Sequence, residues 1–258
     1  MYQSEINILT DSFSPIALHE MDGVMLMDRL ETKYVFSSKK LPVLLALLSS
    51  GYKILDIDMI RSFPYHTTYL DTPDFLFYME QVRGKLNRHK IRYRCYESTG
   101  TSFLEIKKRT NKGRTVKWRI ENRLNCDFPD ENAFIFINEL LHYPYPDIKP
   151  VLINGFNRIT LVGTKCKERI TLDYKIKFSD TDGKSCDLPF LAIAEIKKER
   201  HCGFSPFSSV MKEFGIPPNG FSKYCIGSAI TNETLRKNTM KQNLLLLNKI
   251  QNEYLKSA

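Results

Sequence analysis

The segment KIRYRCY places Lys90, Arg92 and Arg94 at every second position. On an extended strand alternate side chains share a face, so the three cations stand about 6.5–7 Å apart on one side. At that spacing two like charges repel by roughly 2–3 kcal/mol for an effective dielectric near 20. An anion carrying several charges relieves such a row, and forked guanidinium and point-charge ammonium groups both suit phosphate oxygens. The alternation recurs as Glu31 and Lys33 in RLETKYVF, Glu105 and Lys107 in FLEIKKR, and Lys117 and Arg119 in TVKWRI. It returns as Arg169, Thr171 and Asp173 in ERITLD, then as Glu195 and Lys197 in AEIKK. A polar strand face is ordinarily a solvent face. Strand after strand of long cations and carboxylates, with few Ser, Thr, Gln or Asn, fits that explanation poorly. The carboxylates have two readings, neutralising neighbouring cations or holding a divalent metal through oxygen ligands, and for Glu31 and Glu105 both stay open.

The elements that must carry these residues follow from local pattern. RLETKYVF (29–36) reads as a strand, and a helix near 39–50 follows, with Ser38 as a candidate N-cap and Gly51 as a stop. PYHTTYLDT (64–72) is a strand, and TPDFLFYMEQVRG a short helix that Asp71 is placed to cap. Strands at 88–97, 102–108 and 114–121, joined at Thr99-Gly100 and Asn111-Lys112-Gly113, form an antiparallel meander. A helix at 131–143 precedes strands at 148–161, 166–174 and 190–197, with Asp180–Asp187 read as a polar loop. Helices are expected in SPFSSVMKEFG, after Phe221 and along the leucine-rich tail. If the apolar faces pack outward under helices, the charged faces turn inward. About eight such strands closed on themselves give an α+β fold: an antiparallel β-barrel tunnel with helices packed on its outside.

The 258 residues carry a formal net charge of +9, which points to a polyanionic partner without choosing it. Six scattered cysteines with no CxxC pair argue against a zinc site and for reduced thiols. MYQSEINILTDSF lacks the build of a secretory signal, and LPVLLALLSS is too short to span a bilayer, so a cytoplasmic location is expected. No glycine-rich Walker loop is present, which disfavours nucleotide binding through a P-loop. The five histidines are dispersed, and no Cys/His or Ser/His pairing suggests a nucleophile. Nucleic acid is disfavoured as a partner, because Tyr93 falls on the face opposite Arg92 and is more simply core than a stacking platform.

Taken in order, ETKYVF, TTYLDT, KIRYRCY, FLEIKKR, VKWRI, FNRITL, ERITLD, AEIKK and FSKYCIG resemble the VTC (vacuolar transporter chaperone) catalytic domain, a branch of the triphosphate tunnel metalloenzymes. The resemblance runs from about residue 29 to 228 and divides the chain into an N-terminal extension (1–28), a tunnel domain (29–230) and a C-terminal helix (231–258) packed on the domain or on a partner. It implies a lumen that binds ATP, triphosphate or polyphosphate, and an activity that moves the γ-phosphate of ATP onto a growing phosphate chain. By position the implied basic residues are Lys33, Arg92, Arg94, Lys107, Lys117, Arg158, Arg169 and Lys223, with Lys90, Arg119 and Lys197 on the same faces. Glu195 is the implied ligand of Mn²⁺ or Mg²⁺. The wider superfamily opens with ExExK, and here Arg29 stands at the first glutamate position, so one metal-facing carboxylate is missing. Eukaryotic members also carry membrane spans that this sequence does not show. Arg92, Arg94, Lys107 and Lys117 are expected to grip the donor triphosphate, while Arg158, Arg169 and Lys33 line the acceptor path and Lys223 closes one end. Hydrolysis of triphosphate and plain polyphosphate binding are the competing readings, and a membrane-protein or homo-oligomeric partner is left open.

Overall fold

Side-chain alternation organises the molecule. On one strand Ile91 and Tyr93 are buried in an apolar cluster, and on the next Leu104 and Ile106 join them, while the charged residues between point the other way. A computed structural model of the chain describes residues 2–24, 29–97, 99–122, 128–142, 144–200 and 203–256, with the backbone alone at 22–24 and 29. Helix α1 (Tyr2–Asp11), strand β1 (Ser14–Ile16) and a 3-10 turn (Leu18–Val24) precede strand β2 (Arg29–Ser37). Then come α2 (Leu41–Leu48), β3 (Tyr52–Leu55), β4 (Phe63–Asp71) and α3 (Leu76–Val82). The meander is β5 (Arg88–Tyr96), β6 (Thr101–Arg109) and β7 (Thr115–Glu121), followed by α4 (Glu131–Leu141). Strands β8 (Lys149–Gly163), β9 (Glu168–Ser179), β10 (Ser185–Leu188) and β11 (Leu191–Glu199) complete the sheet. Helices α5 (Pro206–Glu213), α6 (Lys223–Thr231) and α7 (Lys241–Lys256) close the chain.

The α+β class and the antiparallel sheet are as expected; closure into a barrel is not. The eleven-stranded sheet follows the path β2-β11-β9-β8-β4-β5-β6-β7, and no pairing joins β7 back to β2 among the described residues. The path is antiparallel throughout, and the short β1–β3 pair is parallel. Outward-facing Ala192, Ala194 and Ile196 of β11, with Ile170 and Leu172 of β9, pack under α1, α2 and α5. Helix α4 places Ala133 and Ile137 over the outer face of β5 and β6.

Helix α6 departs from the expected outer position. Its Tyr224 ring stacks on Tyr69, with centroids 4.9 Å apart, and its Cys225 and Ile226 share a core with Val35, Leu152, Phe178 and Ile193. Those residues lie on the concave side, so α6 fills one part of it. The fit is close: a Cβ at Gly227 would stand 2.5 Å from Phe178 Cδ1 and 2.7 Å from Leu152 Cδ2. A bulge puts Ile176 and Phe178 on that side. Lys175 takes φ 52, and the β8–β9 register shifts between Gly155 and Asn157. Without the extra residue, alternation from Asp173 would aim Ile176 outward.

Smaller expectations are also corrected. The segment Asp180–Asp187 is not all loop, since Ser185–Leu188 pairs with β9. Ser38 does not cap α2; its Oγ donates to the Pro189 carbonyl at 2.7 Å, and Lys40 is the N-cap. Cys186 and Cys225 are free thiols, while Cys126, Cys202 and His201 lie outside the described residues. Among the described residues no helix is long and apolar enough to cross a membrane.

Candidate functional site: an anion cavity

Register puts cation opposite cation. In the β5–β6 ladder Arg88 faces Arg109 and Lys90 faces Lys107, and in the β6–β7 ladder Lys107 faces Lys117. Like charges directly opposite destabilise a sheet, so each pair invites a counter-anion. Carboxylates are interleaved elsewhere: Arg92 faces Glu105, Arg158 faces Asp173, Lys33 faces Glu195 and Glu31 faces Lys197.

The sheet curls so that β5 and β6 look across at β2 and β11, enclosing a cavity of about 320 Å³. Arg92, Arg94 and Lys107 line one wall, and Lys33, Glu195 and Lys197 the opposite one. Arg158 and Asp173 form the floor between them, and Lys223 reaches in from the first turn of α6. An adjoining chamber of about 420 Å³ opens beyond a shared rim that includes Arg88, Lys90, Arg109 and Gln81.

Each carboxylate is already engaged. Arg158 donates to Asp173 through Nε at 2.6 Å and Nη2 at 2.7 Å, and Lys223 donates to the same carboxylate. Arg92 holds the fully buried Glu105 through Nε at 2.9 Å and Nη2 at 2.5 Å, with Lys117 on its other oxygen. Glu195 meets Lys197 at 2.6 Å and Lys33 at 3.5 Å, and Lys33 meets Glu31 at 3.2 Å. These contacts outweigh burial, holding Glu105 and Glu195 well below the usual carboxylate range and Asp173 at about 2. None is poised as a base.

Several cations lack enough countercharge. Burial, then the neighbouring Lys33 and Arg92, brings Lys90 down to about 8. Burial and Arg158 bring Lys223 down to about 8 despite Asp173. Arg92, even more than burial, pushes Lys107 well below its ordinary value. Arg94 lies over the Tyr65 ring at 5.5 Å, and its buried Nε has no hydrogen-bond partner among the described residues. A polyanion here would supply what the fold leaves out.

Beyond the cations an aromatic shelf borders the cavity. Tyr65 stacks on Phe156 with centroids 5.3 Å apart, and Arg158 and Lys223 lie over Phe156 at 5.2 and 4.5 Å. Tyr96 and Phe103 continue the shelf, with Arg119 over Phe103 at 4.7 Å.

The expected site residues divide into two groups. Lys33, Lys90, Arg92, Arg94, Lys107, Arg158, Lys197 and Lys223 are brought together around the cavity, as are Glu31 and Glu195. Lys117, Arg119, Arg169 and Glu105 do not line it, although they belong to the same strand faces. Arg169 sits cross-strand from Lys197, one step past the enclosed part. Arg88 and Arg109 were not expected, yet each extends an alternating row by one step, Arg88 before Lys90 and Arg109 after Lys107.

No cluster of three or more His, Cys, Asp or Glu residues is set to hold a metal ion among the described residues. Glu105 does not fit that role, since Arg92 and Lys117 occupy its oxygens. Glu31 and Glu195 fit better. Both reach the Lys33 ammonium, so their hard oxygens flank one point of positive charge at the cavity wall. Two carboxylates are a sparse set, of the kind that Mg²⁺ or Mn²⁺ completes with substrate phosphates.

The family model described as VTC domain matches residues 28–232. No curated protein matches the chain. Similar solved structures include a proposed adenylate cyclase from Bacillus halodurans, 15% identical over 76% of this chain and 94% of that chain, with a TM-score of 0.49. A Hippeastrum protein proposed as an adenylyl cyclase, and described as having a dominant triphosphatase activity, is 16% identical over 79% of this chain and 96% of that chain, with a TM-score of 0.47. A proposed adenylate cyclase from Vibrio parahaemolyticus is 12% identical over 77% of this chain and 97% of that chain, with a TM-score of 0.46.

Proposed function

The chain belongs to the VTC domain family, and we propose that it is a phosphotransferase that moves the γ-phosphate of ATP onto a polyphosphate chain inside the cavity. The observation that carries this reading is the convergence of cations from separate strands with too few carboxylates to balance them. Phosphoryl transfer asks a protein mainly for positioning and charge stabilisation, which is what this wall offers. Arg92, Arg94 and Lys107 grip the donor phosphates. Arg158, Lys33 and Lys223 stabilise charge spreading over the transferred group. Lys117 and Arg169, placed outside the enclosed part, extend the basic track beyond it. Glu195 and Glu31 are the residues that would hold Mn²⁺ or Mg²⁺, which would supply Lewis-acid polarisation of the phosphate oxygens.

In the reaction a terminal oxygen of the acceptor chain forms a bond to the γ-phosphorus, and the bond between that phosphorus and the β–γ bridging oxygen breaks, releasing ADP. The acceptor oxygen is already ionised, so no proton needs removing. That favours transfer over hydrolysis: among the described residues no histidine or cysteine lines the inner cavity, and its carboxylates are ion-paired. Purified protein with ATP and Mn²⁺ tests the reading when assayed for both long-chain polyphosphate and orthophosphate. Chain growth supports transfer, orthophosphate alone supports hydrolysis, and neither product reduces the protein to a binding module. Arg92→Ala and Lys107→Ala should both weaken triphosphate binding; unchanged affinity in both would remove the cavity from the function.

A further inference from the structure

Two helices send side chains to the cavity, and one buried carboxylate holds both. Asp71, at the end of β4, is fully buried. It accepts from the N–H groups of Thr72, Phe77 and Tyr78 at 2.8, 2.9 and 2.8 Å, which fixes the start of α3. It also accepts from the Tyr224 hydroxyl of α6. From α3, Gln81 Oε1 accepts from Arg88 Nε at 3.0 Å at the rim. At the start of α6, Ser222 Oγ accepts from Lys90 at 3.1 Å, and Lys223, next in sequence to Tyr224, reaches Asp173. Asp71 and Tyr224 themselves stand behind the cavity wall and do not line it.

We infer that Tyr224 is a positioning residue, anchored by Asp71, that sets how deep α6 seats on the sheet and so where the Lys223 ammonium meets a bound phosphate. This rests on the phosphate-binding reading above and adds to it a pair of residues that act without touching the ligand. The Tyr224 ring stacks on Tyr69 and meets Tyr78 edge-on, with centroids 4.9 and 6.3 Å away. Apolar packing of that kind holds the ring in the core but has no preferred direction. A hydrogen bond weakens steeply off line, and a buried carboxylate oxygen left without its donor is costly. The hydroxyl therefore supplies the directional stop that the rings lack, one residue away from the ammonium it places.

The test measures equilibrium binding of tripolyphosphate to the full chain without divalent metal, for the wild type, Tyr224→Phe, Lys223→Ala and the double variant. Tyr224→Phe keeps both ring contacts and removes only the hydroxyl. It should weaken binding about fivefold and Lys223→Ala about tenfold. The double variant should lose about tenfold and no more, because a misplaced lysine and an absent one are the same loss. Thr72→Ala removes a different contact at the start of α3, the hydroxyl that accepts from the Leu76 N–H at 3.0 Å. It should lower Tm and leave affinity unchanged. A loss of about fiftyfold in the double variant, an unchanged affinity in Tyr224→Phe, or an equal loss in Thr72→Ala would overturn the positioning role while leaving the phosphate cavity standing. Failure of the wild type to bind tripolyphosphate would instead overturn the phosphate reading itself.

Discussion

Triphosphate affinity should fall as pH rises, and the fall should trace to Lys90 and Lys223. Both ammonium groups sit at about 8, lowered by burial first and then by neighbouring cations. A bound polyanion supplies the missing countercharge and restores the protonated form, so binding takes up protons. From about pH 7 to about pH 9 each lysine goes from about nine-tenths charged to about one-tenth, a tenfold loss of affinity per group and about a hundredfold for the pair. Tripolyphosphate sheds its last proton over the same range and becomes more anionic, so its own titration works against this trend. The sign for stability is opposite. Each lysine has a folded value below its unfolded value of about 10.4, so the unfolded chain binds more protons between about pH 8 and pH 10, and the ligand-free protein gains stability across that window. Titration calorimetry in buffers of different ionisation enthalpy reads the protons taken up, about half a proton per lysine near pH 8. Lys90→Arg and Lys223→Arg keep the charge and should each remove about one tenfold step of the fall. A pH-independent affinity, or a fall that survives both arginine variants, refutes the argument that buried, uncompensated charge drives binding.

Two further outcomes follow from named contacts. Glu195→Gln should abolish Mn²⁺-dependent turnover while leaving metal-free tripolyphosphate affinity within a few-fold of wild type or higher, because Lys33 and Lys197 lose their carboxylate partner; full turnover in this variant would place the metal elsewhere. Gly227→Ala should cost about 1–3 kcal/mol and lower Tm by roughly 3–10 °C, since the new methyl must displace Phe178 and Leu152. An unchanged Tm would mean that α6 can lift from the sheet without loss.

Alternation in the sequence identified which side chains share a face, and the structure keeps that pattern on β5, β6 and β11 and on β9 as far as Asp173. Depth was not legible in it. Lys117 and Arg119 stand on β7, at one end of the sheet path, so the right face still lies outside the enclosed volume. Arg88 and Arg109 obey the same alternation, each two residues beyond the end of a row. The bulge at Lys175 does not, because a single left-handed residue reverses the inward set with no change in composition. Helix α6 carried a clue: after Lys223, KYCIGSAIT has no charged residue on any side, and a helix apolar all round belongs in an interior. Ser222 signalled its start, and its Oγ accepts from the Cys225 N–H at 3.3 Å and from Lys90 at 3.1 Å. Ser38 offered the same residue type and was drawn instead to a carbonyl of the loop before β11, a tertiary partner that local pattern does not reveal.

That no pairing joins β7 to β2 among the described residues changes how a long polymer could be loaded. A cylinder sealed by hydrogen bonds all the way round takes a strand only by its tip, which is slow when the tip is distant or engaged elsewhere. Here the seam has no backbone bonds to break among the described residues, so a polymer could be laid in sideways along the row from Arg88 to Arg94, at any point of its length.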